Sequence, residues 1–295
     1  MYDIIILGAG PAGMSAAIYA ARFNLKALII SKEIGGYMME APQIENYPGF
    51  KSISGLDLAN SMKEQVKSLG VEIIEEEVVE IKKGFSVKTK DNKTYKGKNI
   101  LIAMGTARRK LSIKGEDEFA GKGVSYCATC DGAFFRDKVV AVIGGANSAV
   151  VSALVLSKFA KEVYILYRKD PLRADPYWIN KIAKIKNIKV QCCVNVTEIK
   201  GTKMVETIIL DNGKEMKVNG VFVEIGSMPV AALAKTLGVK TDDEGYIIVD
   251  NSQKTNVEGI YAAGDISTGS NKMRQIVTGC AEGAIAVDSI YKSQK

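Results

Sequence analysis

Two unbroken apolar runs organise this chain: Ile4-Ile5-Ile6-Leu7 and Val139-Val140-Ala141-Val142-Ile143. Continuous rather than alternating apolar residues are the pattern of a strand buried on both faces of a parallel sheet. Each run enters a glycine-rich turn, Gly8-Ala9-Gly10-Pro11-Ala12-Gly13 in the first case and Gly144-Gly145-Ala146-Asn147-Ser148-Ala149 in the second. Each turn opens into a helix of small or apolar residues, over 14–22 and 150–159. A further strand follows each helix, over 27–30 and 163–167. The same strand–turn–helix–strand unit therefore occurs twice. Positions 82–94, with Gly84 and Asp91-Asn92, read as a hairpin, and Asp211-Asn212-Gly213 reads as a two-strand turn. No linker or low-complexity stretch separates the units.

The first glycine turn has the spacing and context of a dinucleotide-binding fingerprint, with Glu33 about 20 residues further on. In that reading Gly8 makes the tight turn, Gly10 lets backbone approach a pyrophosphate, and Gly13 lets the helix pack against the strand. The helix N-terminus then offers free N–H groups to the phosphates. The second turn keeps the architecture but carries Ala146 at the point of closest approach, where a methyl pushes phosphate away. Ala149, at the third small position, is acceptable.

The chain has 295 residues, 47% hydrophobic and 25% charged, as in a soluble globular protein. No apolar run reaches the ~18 residues of a membrane-spanning helix. The run at Ile4 is too short, and lacks the basic flank, for a signal peptide, so a cytoplasmic location is expected. The net charge of +7 raises the question of nucleic acid, but the cations are spread along the chain with no basic arm or basic–aromatic stripe. An acidic protein partner fits better, and a merely solvated basic surface remains open.

There is no histidine, so proton transfer near pH 7 falls to carboxylates, thiols, lysines or a cofactor. Of five cysteines, Cys127 and Cys130 form a C-x-x-C pair in Cys127-Ala128-Thr129-Cys130-Asp131. Two thiols on one short turn can close and open a disulfide, and the thiolate is the exchanging nucleophile. Asp131 is the natural general acid, or a helix cap. A metal site is not expected, because there is one C-x-x-C only and Cys192-Cys193 are adjacent. Those two and Cys280 read as packing residues.

Further motifs carry a resemblance. Gly10-Pro11-Ala12-Gly13 and Tyr261-Ala262-Ala263-Gly264-Asp265 resemble the FAD-binding signatures of two-dinucleotide-domain flavoproteins, and Ala103-Met104-Gly105-Thr106 is similar to their connection out of the FAD domain. The dithiol run, with Gly35-Gly36, Glu45-Asn46-Tyr47-Pro48-Gly49, Gly264-Asp265 and Arg274-Gln275, resembles the low-molecular-weight thioredoxin reductases over nearly the whole chain. The resemblance implies an α/β fold of two dinucleotide-binding, Rossmann-like domains of the flavin disulfide reductase type. It implies a discontinuous FAD domain, 1–111 and 227–295, and a redox-dithiol domain, 112–226, with Gly226-Ser227-Met228-Pro229 as returning hinge. Its cofactor-binding residues would be Gly8, Gly10, Pro11, Ala12, Gly13, Glu33, Gly35, Gly36, Asn46, Gly105, Gly264, Asp265, Arg274 and Gln275, with Asp265 meeting the flavin's ribityl chain. By the same analogy Cys127 attacks the thioredoxin disulfide, Cys130 faces the flavin, and the enzyme is a homodimer.

The electron donor is where the chain departs from the family pattern. NADPH-using relatives carry His-Arg-Arg and a further Arg where this chain has Tyr167-Arg168-Lys169-Asp170-Pro171-Leu172-Arg173. Lysine does not grip phosphate bidentately, and no acid is placed to hold a 2′-hydroxyl as NADH requires. These departures resemble the ferredoxin-dependent branch that has lost pyridine nucleotide motifs, and a basic chain suits an acidic ferredoxin. NADPH as donor stays open. So does a dithiol oxidase running from a substrate dithiol to oxygen, since such relatives also keep FAD and C-x-x-C.

Overall fold

The computed structural model describes residues 1–82 and 84–294. β1 (Ile4–Ala9) is buried along its whole length, and α1 (Pro11–Arg22) follows after one residue. Proline is at home in a first helical turn, where its missing N–H has no intrahelical partner to lose, so α1 begins at Pro11 rather than at the expected Met14. β2 (Ala27–Ile34) runs past the expected end at Ile30 and carries Glu33. α2 (Gly55–Ser68) is capped by the Ser54 side chain, and β3 (Glu72–Glu75) follows. β4 (Val78–Lys82), β5 (Ser86–Thr89) and β6 (Thr94–Lys96) form an antiparallel meander, one strand more than the expected hairpin. Lys83, within the expected hairpin, lies outside the described residues. β7 (Ile100–Ile102) and β8 (Thr106–Arg108) complete the first part.

The middle of the chain repeats the plan. β9 (Val124–Ser125) leads to the one-turn α3 (Ala128–Asp131). β10 (Val139–Ile143), α4 (Asn147–Leu156), β11 (Glu162–Tyr167), α5 (Pro176–Ile182) and β12 (Ile188–Cys192) follow. α4 starts inside the second glycine turn, ahead of the expected Val150. β13 (Val196–Gly201), β14 (Val205–Leu210) and β15 (Glu215–Lys217) make a second meander. Its Asp211-Asn212-Gly213 turn is closed by the Gly213 N–H donating to the Leu210 carbonyl at 2.9 Å. β16 (Gly220–Val223) and β17 (Ser227–Pro229) end this part. The chain then returns through α6 (Ala232–Lys235), β18 (Ile260–Ala262) and α7 (Ile276–Ser293).

Two five-stranded sheets result, with orders β18-β7-β1-β2-β3 and β12-β11-β10-β16-β9, and all their pairings are parallel. The fold is α/β. In each sheet the strand order reverses beside the strand that feeds a glycine turn, β1 or β10, which is the switch point of a doubly wound sheet. The chain divides into two compact units, Met1–Ala107 with Met228–Lys295, and Arg108–Ser227. The borders drawn from sequence, 111/112 and 226/227, compare with divisions at 107/108 and 227/228, where the crossing strands β8 and β17 pair.

Both faces of each sheet are buried, which is why the strands read as unbroken apolar runs. In the first unit Ile4, Ile6, Ile29 and Leu101 share a core with Met14, Ala17, Leu58 and Val287, while Ile5, Leu7, Leu28, Ile100 and Ile102 pack on the opposite side. In the second, Val140, Val142 and Ile165 pack with Val150, Ala153 and Leu156, and Ala141, Ile143 and Leu166 pack with Ile199 and Ile208. Not every cysteine packs. β12 ends at half-buried Cys192 and the chain turns at Cys193 with φ 62°, so Cys193 is exposed, against the packing role expected for it.

α7 lies directly on α1. A Cβ on Gly283 would come 2.1 Å from the Ala12 carbonyl oxygen, and the Ser15 hydroxyl donates to the Cys280 carbonyl at 2.7 Å. Replacing Gly283 with alanine is expected to push the two helices apart, at about 1–3 kcal/mol for overpacking. A lowered thermal midpoint checks this; an unchanged midpoint contradicts the contact.

Candidate active site

The first unit gathers every residue that the sequence assigns to a cofactor. The parallel sheet explains it, because the C-terminal ends of β2, β1, β7 and β18 lie side by side at one edge. From those ends leave Glu33 to Gly36, Gly8 to Gly13, Ala103 to Gly105, and Ala263 to Asp265. The strand ends are tied together in series. The Gly35 N–H donates to the Ala9 carbonyl at 2.8 Å, the Ala103 N–H to Leu7 at 2.7 Å, and the Ala263 N–H to Ile102 at 3.1 Å.

The cradle at this edge is open where a ligand needs it. Gly10, the residue before α1, is extended, and a Cβ built on it meets nothing within 4 Å. Gly36 faces it, since a Cβ there would approach the Gly10 Cα at 3.6 Å. No side chain caps α1 and no acid lies in its first turn, so its N–H groups and positive dipole end are left for an anion. Gly13 and Ala12 serve packing instead: a Cβ on Gly13 would come 1.9 Å from the Gly8 carbonyl oxygen.

The C-terminal motifs close the cradle. Asn46 donates through Nδ2 to Gln275 Oε1 at 2.9 Å, joining two motifs from opposite ends of the chain. Burial pushes the Asp265 carboxyl above its ordinary value, and the charge of Arg274 pulls it back. Arg274 stacks over Tyr246, 3.8 Å from the ring centroid, while its Nε and Nη2 are buried with no hydrogen-bond partner. The loop bearing Asp265 is held by Glu282, a buried acid whose Oε2 accepts the Gly264 N–H at 2.6 Å. Glu282 escaped the sequence reading. The signal was present: on α7 it shares one face with Gly279, Gly283, Ala286, Val287 and Ile290, an acid on the buried stripe.

The dithiol belongs to the second unit. β9 pairs in parallel with β16, so Cys127 leaves the same sheet edge as the second glycine turn. Cys127 and Cys130 are joined as a disulfide, with Cα atoms 5.3 Å apart. Cys127 is the N-cap of α3, and its Sγ accepts the Cys130 N–H at 3.1 Å. Cys127 is half-buried and Cys130 exposed. Asp131 caps neither α3 nor the short turn of helix after it; its Oδ2 accepts from the Ser125 hydroxyl at 2.7 Å. On the other side Tyr126 donates to Glu116 Oε1 at 2.8 Å, and Glu116 also accepts the N–H groups of Leu111 and Ser112. Burial, then Glu116, push the Tyr126 phenol above its ordinary value. Ser125 and Glu116 are further site residues that sequence reading missed; a serine two residues before a cysteine is a local hydrogen-bonding signal that could have found the first.

Residues 2–283 match the family described as pyridine nucleotide-disulphide oxidoreductase. The chain belongs to that family. It is 42% identical to a thioredoxin reductase of Listeria monocytogenes, over 99% of this chain and 93% of that protein. The crystal structure of Lactococcus lactis thioredoxin reductase superposes with a TM-score of 0.94 at 40% identity, covering 99% of this chain and 98% of that one. A ferredoxin-flavin thioredoxin reductase from Clostridium acetobutylicum matches with a TM-score of 0.54 at 32% identity, covering 99% and 98%.

The protein is thus an FAD-dependent disulfide oxidoreductase of this family. The cradle fits FAD: an open Gly10 before an uncapped helix suits the pyrophosphate, and the orphaned Arg274 nitrogens and half-buried Asp265 suit a polar ligand further along. FAD supplies, when bound, a carrier able to take electrons singly or in pairs and to exchange a pair with a disulfide. Among the described residues no group of His, Cys, Asp and Glu could hold a metal ion, and no helix is long and apolar enough to cross a membrane.

The family's second nucleotide turn differs here from the first. Ala146 is extended (φ −100°, ψ −174°), close to Gly10 (φ −77°, ψ −175°), so its methyl points where Gly10 leaves space. A Cβ on Gly145 would fall 2.3 Å from Cγ of Tyr167, whose ring lies across the turn. The Arg173 N–H donates to the Gly145 carbonyl at 2.7 Å, and Asp175 and Asn147 exchange bonds of 2.7 and 2.8 Å beside the start of α4.

Gly10→Val separates cofactor binding from folding. With nothing within 4 Å of its Cβ, the variant is expected to fold and to melt near the flavin-free parent, but to purify without yellow colour. Retention of stoichiometric flavin absorbance would contradict the cradle.

Proposed function

We propose that this flavoenzyme reduces the disulfide of thioredoxin with electrons taken from reduced ferredoxin. The observation that carries the reductase reading is the Cys127–Cys130 disulfide at an accessible helix start, backed by Asp131. In this reading the Cys127 thiolate attacks the thioredoxin disulfide and Asp131 protonates the thiolate that leaves. Cys130 resolves the mixed disulfide and is the thiol on the flavin side. Gly8, Gly10, Pro11, Glu33, Gly35, Gly36, Asn46, Gly105, Gly264, Asp265, Arg274 and Gln275 hold the FAD, with Ala12 and Gly13 packing the helix that carries its phosphate site, and the enzyme works as a homodimer, as its family resemblance implies. The unit Met1–Ala107 with Met228–Lys295 is the FAD domain and Arg108–Ser227 the dithiol domain.

Cys127→Ser is expected to abolish thioredoxin turnover while FAD stays bound and chemically reducible. Cys130→Ser is expected to stop turnover at the mixed disulfide. Steady-state thioredoxin reduction checks both, and full activity of either variant overturns the assignment.

The donor reading rests on the second glycine turn. Ala146 and the Tyr167 ring occupy space a pyrophosphate needs, and Arg173 and Asp175 tie the following loop across it. A nucleotide donor must seat its phosphates there; an iron–sulfur donor delivers single electrons and needs only a docking surface. A chain of net charge +7 suits an acidic donor. The exposed Arg168, Lys169 and Arg173 favour NADPH as the second reading. In anaerobic titrations reduced ferredoxin is expected to bleach the flavin rapidly, at a rate that falls as salt rises, because charges beyond ~8–10 Å are screened near physiological salt. NADPH is expected to bleach it slowly, and Ala146→Gly with Lys169→Arg to recover part of that rate. Rapid stoichiometric bleaching of the wild type by micromolar NADPH decides for the second reading.

A further inference from the structure

We propose that Ser125 is the positioning residue that aims Asp131 as proton donor at the thiolate that leaves when Cys127 attacks. The inference rests on the reading of Asp131 as general acid. Ser125 is 5% exposed and sits on β9, in register with Phe222 of β16, so its backbone is fixed by the sheet. Its hydroxyl accepts the Cys127 N–H at 3.1 Å and donates to Asp131 Oδ2 at 2.7 Å. A second acceptor, the Cys127 carbonyl, is further away at 3.3 Å, so the single hydroxyl hydrogen belongs to the Asp131 bond. Asp131 is also tied through its backbone, its N–H donating to the Cys127 carbonyl at 3.1 Å. Nucleophile and acid are thereby locked to one hydroxyl.

The chain of bonds assigns the proton to one atom. With Oδ2 accepting from Ser125, a protonated Asp131 carries its hydrogen on Oδ1. The step then balances as follows. The Cys127 thiolate bonds to one sulfur of the thioredoxin disulfide, the disulfide breaks, and the departing thiolate takes the proton from Oδ1, leaving Asp131 as carboxylate. Cys130, as thiolate, then displaces the second thioredoxin sulfur, which leaves as thiolate and is protonated by solvent. Two electrons have passed from the dithiol to thioredoxin, and the Cys127–Cys130 disulfide has formed.

The test is a double-mutant cycle in the holoenzyme. The flavoenzyme is reduced anaerobically with dithionite and mixed with oxidised thioredoxin, and the single-turnover rate is followed over a range of thioredoxin concentrations. Asp131→Asn is expected to slow the step about 10²-fold, the scale of general acid catalysis. Ser125→Ala is expected to slow it about tenfold at saturation, with the half-saturating thioredoxin concentration unchanged, and Ser125→Thr, which keeps the hydroxyl, to restore it. The double variant is expected to be no slower than Asp131→Asn, because the serine acts only through the acid. A purely structural role would instead slow both backgrounds by the same factor, and that result overturns the proposal. So does a wild-type rate in Ser125→Ala. If Asp131→Asn itself runs at the wild-type rate, the general-acid reading falls and this inference with it. FAD content and melting are measured for each variant; should Ser125→Ala not fold, Ser125→Cys, of nearly the same volume and a weak donor, takes its place in the cycle with the same outcomes.

Discussion

The backbone of Gly8 lying against the carbonyl of Ala103 is the contact on which the first unit depends. A Cβ at Gly8 would come 2.3 Å from that oxygen, and Gly8 has φ 107°, so only glycine fits both the space and the turn. β1 runs between β2 and β7, and its exit turn must pass over the end of β7 without a side chain. Because it does, α1 starts close above the sheet, Gly13 seats against the Gly8 carbonyl, and Gly10 is left facing open space. The second unit repeats the constraint: a Cβ at Gly144, φ 145°, would come 2.1 Å from the Glu224 carbonyl oxygen. One backbone solution, used twice, generates both glycine turns.

The two copies then diverge through side chains rather than backbone. Gly10 and Ala146 have nearly the same dihedral angles, yet one turn is bare and the other lies under a tyrosine ring. The difference lies in a single methyl, at Ala146, and one aromatic ring, at Tyr167. The second unit carries the dithiol just beyond its outermost strand, β9, at the same sheet edge.

Buried carboxylates hold the loops that carry function. Glu282 clamps the Gly264 turn, Glu116 gathers Leu111, Ser112 and Tyr126, and Glu224 accepts from Ser152 at 2.6 Å and from Arg108 at 3.3 Å. Burying such a group is costly unless it is fully hydrogen-bonded, so each acid finds more than one donor. Loops that must present Asp265 or Cys127 in one geometry gain that geometry from an acid beneath them. Cys280, by contrast, is half-buried next to the Pro11 carbonyl with its thiol pushed up by burial, which keeps it a packing residue despite its place under the fingerprint.

Much of this was legible in the sequence because it is local. Apolar runs buried on both faces announce parallel strands, glycine spacing announces the turns, and C-x-x-C announces a dithiol; in each case the residues that define the feature lie within one turn or strand. Helix starts and strand ends were misjudged at Pro11, Asn147 and Ile34, where turn chemistry or sheet pairing extends an element beyond its apolar core. The meeting of Asn46 with Gln275, the clamp of Glu282 on Gly264, the ring of Tyr167 on Gly145 and the bond of Ser125 to Asp131 required the folded chain. The first three join residues far apart in sequence. The last joins near neighbours, but only the pairing of β9 with β16 turns a serine hydroxyl inward to an acid one helical turn away. A hydrogen bond depends on distance and direction together, and in this protein those are set by which strands lie side by side.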